Sequence, residues 1–404
     1  MSWDLSRRVF LKGLSAAAVG VGFSPSSLMV RAAQAAEAGT RVFVHIFLRG
    51  GADGLAVCPP VGDSDYSGLR GGIALSRGEV VDLDGFFALH PGLAPLKPIY
   101  TDGRLAVVHA VGSYGLSRSH FDAQDFMETG TPGNKSVPTG WLDRSVAAVP
   151  GKEVTQAVSF SAQLTRSFLG PEPVLVAQNL SSFALRARNW QAEADSLLRT
   201  MYGADGSAVG LMGQETFAAM DVLLRTPEVM AAPSNGAVYP NASVGSSLKQ
   251  AADVIRANLG TRCIFVNVTG SFDTHSGQLA ANQLEFSRLG EALAAFDRDL
   301  GRLMDDVVVL VSTEFGRAAF VNGSAGTDHG SAHCALVMGG RVRGGRVYGA
   351  WPGLSKSQLY QERDLAVTTD FRDLFAEMAR VQLGVDPSAL FPGYTPGPGL
   401  GVVA

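Results

Sequence analysis

An α/β fold, with a mostly parallel central sheet flanked by helices on both faces, is predicted by three features of this 404-residue chain. Apolar, β-rich runs recur along it and read continuously rather than alternating, as strands do when both sheet faces are covered. Helical patterns separate those runs. The composition, 46% hydrophobic with 48 glycines, suits a large core with many tight turns at strand ends.

The elements follow in chain order. The N-terminus carries "SRRVFLK", with paired Arg7 and Arg8, then a weakly hydrophobic Ala/Gly run and "AAQAAEA". This resembles a twin-arginine export signal over residues 1–38, cleaved near Ala36 or Ala38. A single membrane anchor fits worse, because Pro25 and several serines break the run. The expectation is a periplasmic or secreted protein whose first partner is the twin-arginine export machinery. No later stretch approaches a spanning length, so no stable membrane span is expected in the mature chain. Removing the signal takes away four of the 33 Lys and Arg and two of the 37 Asp and Glu, moving the net charge from −4 to −6. A mildly acidic protein is a poor nonspecific ligand for nucleic acid, and no nucleic-acid partner is expected.

Strands are predicted at 41–48, 105–112, 156–161, 173–177, 262–270, 307–313 and 334–340. The clearest helix is predicted over 279–304, where Leu289, Leu293, Phe296, Leu300 and Leu303 repeat at three and four residues. A second is "VGSSLKQAADVIRANLG" and a third "TTDFRDLFAEMARVQLG", each closed by a glycine suited to a C-cap. Residues 178–245 are less periodic and read as an inserted helical cap within a domain of 39–404. Three widely spaced cysteines, Cys58, Cys263 and Cys334, give no disulfide framework; Cys263 and Cys334 open apolar runs, which favours buried thiols.

In parallel α/β sheets, sites form at the carboxyl ends of strands. There the sequence places "RGGADGL" with Asp53, "GSYGLSRSHFD" with Ser117, Ser119 and His120, "SFDTHSG" with Asp273 and His275, and "EFGR" with Glu314 and Arg317. A short loop then gives "GTDHGSAH", which spends two of only seven histidines beside Asp328. Carboxylate, hydroxyl and imidazole groups at four strand ends can converge on one crevice. Asp273 and His275, two apart in an extended segment, can share an ion. Arg317 has the planar fork that suits a substrate anion. Each residue also has a plainer reading. Asp53 fits a turn, and "SHFD" fits a capping box with Asp122 reaching back to Ser119. Asp273–His275 and Glu314–Arg317 fit structural pairs. His45, His90 and His109 read as structural, and Asp370 as a helix cap.

"FLRGGADGL", "SHFDAQDFMETGTPG", "FDTH", "STEFGR", "GTDHG" and "TTDFR", in this order, resemble the DUF1501 family of exported bacterial proteins. That family is similar to the alkaline phosphatase and sulfatase superfamily, which implies an alkaline-phosphatase-like fold over roughly 40–400. The resemblance implies two divalent metals, with Asp53, Ser119 and Glu314 at the first site and Asp273, His275 and His329 at the second. The middle pair here is D-x-H, and the residue after Glu314 is Phe315 rather than an imidazole; Asp328, His333 and His120 are the alternatives for the missing ligand. Asp328 is also a candidate to orient His329. Imidazoles favour zinc, and the carboxylates also suit magnesium, manganese or calcium. The implied activity is hydrolysis of a small anionic phosphate or sulfate ester, with Ser119 as nucleophile, Ser117 as runner-up, and Arg317 and His120 as catalytic partners. The alternative is a non-catalytic exported binding or assembly protein on a degenerate version of the fold. A formylglycine sulfatase is not expected, since neither Cys58 nor Ser117 sits in C/S-x-P-x-R.

Overall fold

A computed structural model describes residues 40–114, 117–151, 155–180 and 190–404. The predicted export signal lies outside the described residues. The strands are β1 (Val42–Arg49), β2 (Val81–Asp82), β3 (Ala88–Leu89), β4 (Leu105–Gly112), β5 (Ala157–Phe160), β6 (Leu175–Val176), β7 (Cys263–Thr269), β8 (Val307–Thr313), β9 (His333–Gly339), β10 (Val347–Tyr348) and β11 (Thr369–Asp370). The α-helices are α1 (Gly54–Val57), α2 (Tyr66–Arg70), α3 (Lys97–Thr101), α4 (His120–Thr129), α5 (Trp141–Ala148), α6 (Gln191–Gly203), α7 (Ala208–Arg225), α8 (Ser243–Arg256), α9 (Gln278–Leu300) and α10 (Phe371–Met378). All seven predicted runs are strands. The short β10 and β11, and the β2–β3 hairpin, carry too few residues for a periodic signal.

The main sheet runs β10-β4-β9-β8-β1-β7-β5-β6, with β11 also beside β4. Strand β1 shows why its sequence does not alternate. Val42, Val44 and Ile46 enter one core with Leu248 of α8 and Phe286 and Leu293 of α9. Phe43 and Phe47 enter the other with Trp141 of α5 and Phe371 and Phe375 of α10. With both faces covered, six of its eight positions are apolar, and His45 and Arg49 are the exceptions. Within the stretch read as an inserted cap, α7 feeds Phe217, Met220 and Leu223 into the α8–α9 core.

The helix predicted over 279–304 ends at Leu300, where Gly301 takes φ 52° and a 3-10 turn carries the chain to Asp306. Asp370 caps α10 as expected, accepting the Arg372 N–H at 2.9 Å. The capping box at Ser119 does not form. Ser119 precedes α4, but its side chain makes no cap bond, and Asp122 instead meets the Ser117 hydroxyl at 3.3 Å and Lys135.

One strand breaks the parallel rule in a way that shapes the site. Strand β9 is antiparallel to both β4 and β8, whereas every other pairing in the main sheet is parallel. The link from β8 to β9 contains no helix to carry a crossover. The chain therefore turns back at the carboxyl edge, and the start of β9 lies where the other strands end. That brings "GTDHGSAH" to the same edge as Asp273 and Glu314.

Candidate metal centre

The site is built outward from Glu314, the residue after β8. It is fully buried. Its Oε1 accepts from Gly50 N at 2.9 Å and Gln124 Nε2 at 2.8 Å, and lies 2.7 Å from His120 Nδ1. Its Oε2 accepts from the Thr313 hydroxyl at 2.9 Å. Burial opposes the Glu314 charge, but the bonds from His120, Gln124 and Gly50 outweigh it and hold its pKa at about 2. A carboxylate this firmly ionised fixes the proton on His120 Nδ1 and raises the His120 pKa. His120 opens α4, so its ring is aimed from the first turn of a helix.

Two further imidazoles are held the same way. His329 Nδ1 donates to the Arg118 carbonyl at 2.7 Å. His275 Nδ1 lies 3.1 Å from Asp328 Oδ1, and that bond holds the Asp328 pKa below the usual carboxylate range. Each outer nitrogen faces an acceptor, which in the neutral ring places the proton there and leaves the inner Nε2 a lone pair. The inner nitrogens converge. His329 Nε2 lies 3.1 Å from His120 Nε2 and 2.9 Å from His275 Nε2. Asp273, beyond β7, completes the group: its Oδ1 is 3.0 Å from His329 Nε2 and 3.1 Å from His275 Nε2, and its Oδ2 is 3.3 Å from His120 Nε2. Burial of His329 lowers its pKa and favours the neutral ring.

The chemistry of this donor set fits a cation. Lone pairs facing one another at these distances repel unless a proton or metal lies between them. Zinc–nitrogen bonds near 2.0–2.1 Å at tetrahedral angles put donor atoms roughly 3.3 Å apart. His120, Asp273 and His329 approach one another at 3.0–3.3 Å, close to that edge, and His275 adjoins them through His329 and Asp273. Each imidazole also has the outer acceptor that metal-binding histidines need for ring orientation.

Glycines let the surrounding loops approach. A Cβ at Gly326 would strike the His275 carbonyl, and one at Gly330 the Arg317 carbonyl. Gly316, Ala318 and Gly330 instead make backbone bonds that tie "EFGR" to "TDHGS".

Not every candidate joins the centre. Asp53 is 1% exposed and takes both Arg70 guanidinium nitrogens, the Gln278 amide at 2.5 Å and the Leu55 N–H at 3.1 Å. Its acceptor sites are spent, so it is a buried ion pair and a helix cap rather than a ligand. Arg317 is also corrected. It is 1% exposed and spends its guanidinium on Asp273 Oδ1, 2.5 Å away, and on Thr327, which leaves no fork for a substrate anion. Burial works against the Asp273 charge, and Arg317, together with His120 and His329, more than restores it. Glu314 and Asp328 act on His120 and His275 rather than at the centre. His329 is oriented by Arg118, not by Asp328. His333 is buried at the start of β9, with burial lowering its pKa to about 4. Arg118, Gln278 and Thr327 carried no signal in the sequence, because they act through a main-chain carbonyl or through hydrogen bonds between distant segments.

A second cluster, Cys58, His109 and Cys334, also brings ligand-type atoms within 4.8 Å of one another. There His109 Nδ1 accepts from Ala110 N and Nε2 donates to the Cys58 carbonyl, each at 3.0 Å. No imidazole lone pair is left for an ion, so the trio is core packing. All three cysteines are free and buried.

Residues 40–395 match the family described as "Protein of unknown function (DUF1501)". The chain belongs to the DUF1501 family. No curated protein matches this DUF1501 chain in sequence. Among solved structures it is similar to the phosphonate monoester hydrolase of Silicibacter pomeroyi, at 10% identity and a TM-score of 0.38 over 90% of this chain and 77% of that one. It is also similar to an alkaline phosphatase superfamily protein from Vibrio parahaemolyticus, at 11% identity and a TM-score of 0.31 over 84% and 69% of the two chains. Alkaline phosphatase from the Antarctic bacterium TAB5 is similar at 8% identity and a TM-score of 0.28, over 76% and 94%. Likenesses at these scores carry no activity across.

Proposed function

We propose that this protein is an exported hydrolase of phosphate or sulfate esters that depends on a divalent metal held by His120, Asp273, His275 and His329. One observation carries the reading: His120, Asp273 and His329 bring ligand atoms within 4.8 Å of one another, His275 Nε2 lies 2.9 Å from His329 Nε2 on the other side, and every outer nitrogen faces an acceptor. Three imidazoles and a carboxylate favour zinc. When bound, such an ion supplies Lewis-acid polarisation of an ester oxygen. The chain's own groups do the rest. Ser119 stands one residue before His120 and is the proposed nucleophile. The start of α4 offers N–H groups not paired within the helix, suited to an oxyanion. Glu314 keeps His120 in one tautomer.

The test measures bound metal, melting temperature and ester turnover together. His329→Ala should abolish metal binding, and Ser119→Ala should keep the metal and the melting temperature but lose turnover. Wild-type protein that binds no divalent ion would end this reading.

A second reading has specific support. Arg317 and Asp53, expected to handle substrate and a first metal, are both tied up in ion pairs. That favours a metal-containing binding protein if no ester is turned over.

A further inference from the structure

We propose that Asp364, far in sequence from every centre residue, is a positioning residue for His329 and acts through Arg118. The inference rests on the metal-centre reading above. Asp364 is fully buried, on the loop before β11. Its Oδ2 accepts from Arg118 Nε at 2.9 Å and Nη2 at 2.6 Å, and from the Ser331 hydroxyl at 2.9 Å. Its Oδ1 accepts from Arg363 at 3.1 Å. Its backbone pairs with Ala318, next to the Arg317 that grips Asp273.

This one carboxylate therefore holds three segments that build the centre. It grips Arg118, whose carbonyl takes the His329 Nδ1 proton at 2.7 Å. It anchors Ser331, two residues beyond His329. It also abuts the "EFGR" segment. The Arg118 carbonyl is the acceptor that decides which His329 nitrogen faces inward, and a carbonyl is only as well placed as its residue. The Arg118 side chain is about one-third exposed, and beside Asp364 it is held by the exposed Gln361, whose Oε1 accepts from Nη2 at 2.8 Å. Without Asp364, the carbonyl turns with the loop, and the His329 proton is free to move to Nε2. That would put N–H where a lone pair is needed. Outer acceptors of this kind typically carry a 10–100-fold effect on metal affinity.

The experiment compares wild type with Asp364→Asn and Asp364→Glu. Long-range proton–nitrogen spectra of the ion-free protein report the His329 tautomer, and competition against a chelator reports zinc affinity. Asp364→Asn is expected to lose the single Nδ1–H tautomer and to bind zinc at least about 10-fold more weakly. Asp364→Glu, which keeps the charge, should recover part of both. An unchanged tautomer in Asp364→Asn overturns the proposal, as does a lowered melting temperature with unchanged tautomer and zinc affinity, which would make Asp364 purely structural. A wild type that binds no zinc but shows the tautomer change in Asp364→Asn would remove the metal reading and leave the positioning role standing.

Discussion

Acid should unfold this protein early, and the buried histidines set by how much. His45, His90, His109 and His333 are all buried. Burial lowers His45 to about 3 and the other three to about 4, against 6.5 when unfolded. The sign follows from the protons. Below pH 6.5 the unfolded chain takes up protons at these rings and the folded chain does not, so stability falls as pH falls from 6.5 towards 4. At pH 5 each ring contributes about 2 kcal/mol less stability than at high pH. Four of them lose roughly 7 kcal/mol between pH 7 and pH 5. That rivals the whole stability of a typical domain, about 5–15 kcal/mol. His120 works the other way. Its pKa is raised by Glu314, so its contribution is fully present below pH 6.5 and is lost as pH rises through its folded value. The assay is urea unfolding at pH 7.5, 6.5, 5.5 and 5. Burial also raises Asp253 to about 6, which offsets nearly one proton, so near pH 5 the slope should approach about 4 kcal/mol per pH unit, close to three protons. His90→Gln should remove about one proton from it. A slope equivalent to one proton or fewer in the wild type would refute the reasoning.

Three further outcomes are expected. Arg70→Met should cost about 3–5 kcal/mol in urea unfolding, because it strands the Asp53 charge in the core; the double variant with Asp53→Asn should recover most of it, and neither should change metal content. Glu314→Gln should lower zinc affinity about 10–100-fold in a chelator competition, since His120 loses its charged acceptor; unchanged affinity would mean that the His120 tautomer is fixed elsewhere. Arg7→Lys with Arg8→Lys should leave the precursor in the cytoplasm, checked by fractionation, and normal export of that variant would exclude the twin-arginine route.

The fold was legible in the sequence because continuous apolar runs have a single cheap solution, a sheet covered on both faces. Residues 105–112 and 307–313 match β4 and β8 at both ends. The direction of β9 was not legible. Its run, "CALVMGG", reads alike in either orientation, and only the lack of a crossover helix before it reveals the turn. At the site, the structure brings His120, Asp273, His275, Glu314 and His329 to one edge of the sheet, and their position after strands is a local property of the sequence. Their partners are not marked in this way. Asp53 and Asp273 read alike in sequence, each a carboxylate following a strand. What separates them is Arg70, 17 residues on, which finds one carboxylate and neutralises it. Arg317 in "EFGR" looks free to bind an anion until Asp273, 44 residues earlier, is folded against it. Charge pairing over such separations leaves no periodic trace.

The reversal of β9 and the tautomers of the three histidines belong to one argument. A centre of inward lone pairs needs outward protons, and each proton needs its own acceptor. Here the acceptors come from different places: Glu314 after β8, Asp328 in the turn before β9, and the Arg118 carbonyl ahead of α4. They can surround one point only if β8 and β9 meet at the same edge as β7 and the chain after β4. A parallel β9 would carry Asp328 and His329 to the opposite edge, leaving His275 without its acceptor and Asp273 facing one imidazole fewer. The antiparallel strand is thus the topological condition for the centre, and the short link that forces it is the segment that also supplies its ligand.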